Sequence, residues 1–143
     1  MNLEGKLQAN MVLWYRNDWY KLPKNLWATF NEGQNANMKQ SLGLIPGVSD
    51  LLYLEPRGIG HGRGLMGIEV KYPGERHKVA HVIRQAKWIL EVPGIGGFCD
   101  SLEMFREIIR GDHNGIDPRS VILYLEKLKT TEFVWDSSKF TIL

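Results

Sequence analysis

The chain has one cysteine, Cys99, in 143 residues, so an internal disulfide is excluded and an intracellular, cytoplasmic setting is the expectation. One thiolate and four histidines without ligand spacing also exclude a zinc finger. No apolar run approaches the roughly 20 residues that span a bilayer. The opening stretch MNLEGKLQANMVLWYRNDWY is charged from Glu4 onward and has no small-residue cleavage site, so no signal peptide is expected. Gly-x-x-x-x-Gly-Lys, the phosphate-loop pattern, is missing. The alternate glycines of GIGHGRG, at 58, 60, 62 and 64, lack the spacing and the strand-to-helix setting of a dinucleotide fingerprint. No repeat or linker divides the chain, whose length suits a single domain, 1–143, with a real core.

An excess of one charge is missing as well, since the net charge is +2. Its distribution is more informative. From Arg57 to Lys87 seven basic residues (Arg57, Arg63, Lys71, Arg76, Lys78, Arg84, Lys87) face two acidic ones, Glu69 and Glu75. From Cys99 onward six basic residues accompany eight acidic ones. A basic middle and an acidic end fit a polyanion-binding face opposite a solvated one, and equally a mixed surface with chance clustering.

Apolar periodicity predicts a helix over 2–20, with Leu3, Leu7, Met11, Trp14 and Tyr15 on one face. Short strands are predicted at LWATF (26–30), VSDLLYLE (48–55) and LMGIEVKY (65–72). NEGQNAN and SLGLIPG read as a loop and a turn, and PRGIGHGRG as a flexible hairpin tip. A helix is predicted over 75–91, a fourth strand around Gly96–Asp100, and a helix from the N-cap Ser101 to Gly111. Another helix is predicted over 117–129, opened by Asp117-Pro118, and the tail TEFVWDSSKFTIL adds a strand or an arm. This order implies an α/β fold, a mixed sheet of about four strands flanked by helices.

The stretch GIEVKYPG places Glu69 and Lys71 on one strand face, opposite Ile68 and Val70. If 48–55 and 65–72 form a hairpin, Asp50 lies near the end that holds Glu69 and Lys71. Two carboxylates about 4 Å apart repel by roughly 4 kcal/mol at an effective dielectric near 20. A divalent cation removes that penalty, and hard oxygen ligands select Mg²⁺ or Mn²⁺. A water on such an ion is a nucleophile, and Lys71 can orient it or offset the charge that builds on phosphorus. The plainer reading of Glu69 and Lys71 is an exposed ion pair contributing under about 1 kcal/mol.

NEG, then GLIPGVSDLLYL, then GIEVKYPG, then QAKW, then the glycine-rich PGIGGFCDS before a helix, fall in an order that resembles the VRR-NUC family. That family belongs to the PD-(D/E)XK nuclease superfamily. The resemblance runs from about Leu3 to Arg110, leaving 111–143 as a C-terminal extension. It implies a restriction-endonuclease-like αβββαβ core and metal binding by Asp50, Glu69 and the Val70 carbonyl. Lys71 matches the motif lysine and Gln85 the family's helix glutamine. Glu4, ahead of Gln8 on the first helix, matches an early Glu…Gln pair and completes the metal shell. Ser49 stands where the superfamily name has proline, a position that shapes backbone and is not a ligand. Stand-alone domains of the family resemble phage or mobile-element proteins. The resemblance implies a Mg²⁺- or Mn²⁺-dependent endonuclease that cuts branched or four-way (Holliday) junction DNA as a homodimer.

His77, His81, Gln85 and Trp88 recur at helical spacing within the predicted 75–91 helix. His77, His81 and Lys78 are therefore candidates to contact nucleic acid beside Gln85, against the plainer reading of partly exposed helix residues. Arg57 and Arg63 on the hairpin tip are candidates to reach phosphates. Lys78 also stands where a His-Glu-x-x-His zinc protease would need its glutamate. The alternatives to a nuclease are a catalytically silent nucleic-acid-binding module of the same fold and an interaction or packaging protein. The clustered acidic residues and Lys71 argue against both.

Overall fold

A computed structural model of the chain describes residues 2–18, 23–29, 47–56 and 61–140. Helix α1 spans Leu3–Asp18, followed by the strands β1 (Leu26–Ala28), β2 (Leu51–Leu54), β3 (Leu65–Val70) and β4 (Arg76–Lys78). Helix α2 (Val79–Glu91), strand β5 (Gly96–Cys99), helices α3 (Leu102–Arg110) and α4 (Pro118–Glu126) and strand β6 (Glu132–Val134) complete the order. None of these helices is long and apolar enough to cross a membrane.

The main sheet has the order β1-β2-β3-β5. β1–β2 and β2–β3 are antiparallel, and β3–β5 is parallel. A parallel pair needs a crossover, and α2 supplies it. The chain is thus a mixed α/β protein. Strand alternation sends Leu51, Tyr53, Met66, Ile68 and Val70 to one face, where α1 contributes Met11, Trp14 and Tyr15 and α3 contributes Phe105, Ile108 and Ile109. On the other face Phe98 packs with Val82 and Ala86 of α2, Val121 and Leu125 of α4, and Phe133, Trp135 and Phe140. Glu69 pairs in register with Phe98, so it is aimed at the α2 side of the sheet.

Ser101 opens α3 by accepting the Met104 N–H at 3.0 Å. Gly111, at φ 93°, closes it in the left-handed region that suits glycine. Asp117 caps α4 by accepting the Arg119 N–H at 2.9 Å.

The 75–91 helix is corrected. It begins at Val79, because 76–78 are drawn into an antiparallel ladder with 132–134. His77 and Lys78 are strand residues, so His77 does not share a helix with His81 and Gln85. The tail strand that makes this pairing also brings Trp135 and Phe133 into the second core, which the local pattern of 75–91 could not reveal. The segment beyond Arg110 is therefore built into the fold through β6. The NEGQNAN loop, most of the SLGLIPG turn, and Arg57 lie outside the described residues.

Candidate active site

Asp50 and Glu69 meet where β2 begins and β3 ends. The last ladder pair at this end is Leu51 with Ile68, so the next step sets Asp50 across from Glu69. Side chains here replace the missing backbone ladder. The Val70 N–H donates to Asp50 Oδ2 at 2.9 Å, and the Asp50 N–H donates to Glu69 Oε2 at 3.2 Å. Thr29, just past β1, braces Asp50 from the other side. Its N–H donates to the Asp50 carbonyl at 2.9 Å and its hydroxyl to the Ser49 carbonyl at 2.6 Å.

Gln85 reaches Glu69 from the middle of α2, its Nε2 donating to Glu69 Oε1 at 2.7 Å. Lys71 Nζ lies 3.7 Å from the same oxygen, and both side chains are almost fully enclosed, at 2% and 1% exposure. The exposed ion pair is thus ruled out, and the alternation that put Glu69 and Lys71 on one face holds. A pair this deep carries a desolvation cost that a surface pair does not. Burial pushes the Glu69 carboxyl well above the usual range, and the neighbouring Asp50 charge adds to this, while Lys71 opposes it. Glu4 is close enough to raise it further.

Glu4, in the first turn of α1, comes round the end of the sheet to His77, with Oε2 3.7 Å from Nε2. Its carboxylate is therefore shared between the Glu69 region and β4. Burial, then the nearby Lys71 and His81, lowers the His77 pKa to about 4. His77 is neutral at pH 7, so this contact is not an ion pair. Glu75 joins them: one ligand atom each from Glu4, Glu75 and His77 lie within 4.8 Å of one another. The sequence reading missed Glu75. The signal was present, since a strand through 75–77 puts Glu75 and His77 on one face.

His81 lies one helical turn before Gln85 on α2, half-buried, and Lys78 is exposed on β4. His81 borders the site, near His77, whereas strand alternation turns Lys78 to the opposite face of β4 from His77. Arg63 does not border the site either. It is buried, with Nε 2.6 Å from Glu55 Oε2 and further bonds to the Ile108 and His113 carbonyls at 2.7 and 3.1 Å. A guanidinium saturated in this way ties the β2–β3 hairpin to the end of α3, and is corrected from phosphate contact to structural brace.

The donor set fits a hard divalent ion. Two carboxylates converge on one backbone edge, and Gln85 Oε1 is enclosed without a hydrogen-bond partner among the described residues. The Val70 N–H is aimed at Asp50, and in a regular strand the carbonyl of the same residue shares that edge.

Comparisons with protein-family profiles, with curated proteins and with solved structures found no match to this chain.

Proposed function

We propose that the protein is a metal-dependent deoxyribonuclease with a restriction-endonuclease-like core. The observation that carries this reading is the convergence of Asp50, Glu69, Lys71 and Gln85 from β2, β3 and α2 in one enclosed polar cluster at a sheet end. The element order α1, β1, β2, β3, β4, α2, β5, with β4 set apart from the main sheet by its pairing with β6, and the sheet order β1-β2-β3-β5 support it. So does the polarity of the cluster, because a pure binding module has no use for buried carboxylates facing phosphate.

Asp50, Glu69 and the Val70 carbonyl would hold Mg²⁺ or Mn²⁺, with Glu4 at the margin. The ion supplies Lewis acidity and a water of lowered pKa when bound. Gln85 fixes the rotamer of Glu69 and keeps one amide oxygen for a water. Lys71 orients the attacking water and balances the charge that develops on the phosphoryl oxygens. In hydrolysis the water oxygen bonds to phosphorus, one P–O ester bond breaks, and one proton leaves the water for solvent while the departing alkoxide takes one up. His81 would contact the nucleic-acid backbone beside the site. A homodimer would present two such sites to a symmetric four-way junction, which needs two cuts.

The test is a gel assay on supercoiled plasmid, flap and four-way junction DNA with Mg²⁺, Mn²⁺ or chelator. Cleavage that depends on metal and disappears in Asp50→Asn, with DNA binding kept, is the expected result. Binding without cutting in any metal would replace this reading with a silent nucleic-acid-binding module. No binding would dismiss both.

A further inference from the structure

We infer that Glu4, Glu75 and His77 form a second divalent-cation site, of mixed oxygen and nitrogen donors, beside the Asp50–Glu69 pair. The three donors come from α1, from the turn after Pro73-Gly74 and from β4, and their ligand atoms lie within 4.8 Å of one another. A cation at the centre of such a group reaches all three with small side-chain adjustments.

Glu75 and His77 are held by their surroundings. The Glu75 N–H donates to the Tyr72 carbonyl at 3.2 Å, and the Glu75 carbonyl accepts the Trp135 N–H at 2.8 Å. His77 pairs in register with Phe133, and its ring centre lies 6.2 Å from that of Phe133 and 6.4 Å from that of Trp135. This aromatic clamp turns His77 Nε2 toward Glu4, at 3.7 Å, which is too long for a hydrogen bond. Nε2 is enclosed and has no hydrogen-bond partner among the described residues. A shielded imidazole nitrogen left unmatched, facing carboxylates that cannot donate to it when ionised, is the arrangement a metal completes.

The donor chemistry names the ion. Two carboxylates and an imidazole suit Mn²⁺ or Zn²⁺, whereas Mg²⁺ favours an all-oxygen shell. The two sites thus differ in selectivity although Glu4 stands between them. The inference rests on this donor set and not on the nuclease reading.

The experiment uses the full chain carrying Asp50→Asn and Glu69→Gln, which removes the neighbouring site. Mn²⁺ alone is titrated and followed by electron paramagnetic resonance, with pulsed measurements to detect a coordinated ¹⁴N. One Mn²⁺ per chain with ¹⁴N coupling is expected. In the same background His77→Gln abolishes the coupling and weakens binding at least tenfold. Glu75→Gln, at a partly exposed position, weakens it at least tenfold with the circular dichroism spectrum unchanged. Absence of Mn²⁺ binding in the Asp50→Asn/Glu69→Gln protein, binding without ¹⁴N coupling, or binding unaltered by both further substitutions would overturn the site. Cleavage is not read in this experiment, so a failure of the nuclease reading leaves its result standing.

Discussion

Asp50 and Glu69 are locked across the end of one hairpin: the Asp50 N–H bonds the Glu69 carboxylate at 3.2 Å, and the Asp50 carboxylate bonds the N–H of Val70 at 2.9 Å, next in chain to Glu69. Each acid therefore has its position set by the other's strand. The pairing places negative charge in a site with little access to water, and Lys71 balances only part of it.

That burden is expected to appear in stability. Glu69→Gln keeps the acceptor for Asp50 N–H while removing a buried charge. It should raise the stability of the metal-free protein at pH 8 by about 1–2 kcal/mol, a rise of roughly 3–8 °C in Tm. Cleavage should be lost. Thermal denaturation in chelator, with the plasmid assay beside it, checks the pair of outcomes. A destabilised Glu69→Gln protein would show that the charge is already compensated within the fold.

The pH dependence follows from the same group. Glu69 titrates well above its unfolded value, so between the two the native state holds more protons than the unfolded state. Stability of the metal-free protein therefore falls as pH rises through that window. His77 acts oppositely: its pKa drops from 6.5 to about 4, so its contribution is present above 6.5 and is lost as pH falls toward 4. The two windows overlap below pH 6.5 with opposite signs, so the Glu69 contribution is read as the difference between the native and Glu69→Gln profiles. Urea denaturation of both proteins from pH 4.5 upward should show a decline with rising pH in that difference, and saturating Mn²⁺ should offset it.

Arg63 and Glu55 should behave as a structural pair. Burial alone would raise the Glu55 carboxyl, but the Arg63 N–H and guanidinium and the His61 N–H bring it down to about 2. Its contribution is present above the unfolded value and is lost as pH falls from about 4.5 toward 2. Arg63→Ala leaves an enclosed carboxylate without its cation and should cost about 3–5 kcal/mol in denaturant titrations. The salt dependence of DNA binding should not change in this variant, which separates bracing from phosphate contact.

Gly67 is a packing requirement of the site. A Cβ there would lie 2.7 Å from Ser49 Oγ and 3.2 Å from both Pro93 and Trp88. Gly67→Ala should destabilise by about 1–3 kcal/mol. In a Ser49→Ala background the nearest clash is gone, so the same change should cost less. A double-mutant cycle by urea denaturation measures the coupling, and strict additivity would contradict the contact.

Much of this was legible in the chain. Ser101 and Gly111 bound α3 because capping chemistry is local, and Asp117-Pro118 opens α4 for the same reason. Alternation in GIEVKY separates Glu69 and Lys71 from Ile68 and Val70 without reference to any partner. Arg63 was read as a tip residue because glycine-rich surroundings suggest exposure. Its burial comes from acceptors at Glu55, Ile108 and His113, the last two 45 and 50 residues away.

The sequence by itself determined the periodicities, the caps and the turn residues, and with them the two faces of β3 and the order of the helices and the main-sheet strands. Only the tertiary structure decided that 76–78 is a strand, that Glu4 and Glu75 gather at His77, and that Gln85 meets Glu69. Local signals act over one or two turns of chain, where steric and hydrogen-bond preferences are set. Pairing of 76–78 with 132–134, or of an α1 carboxylate with a β4 imidazole, depends on which distant surfaces are buried together. That choice is made by the packing of Phe133, Trp135 and the sheet, and no single segment contains it.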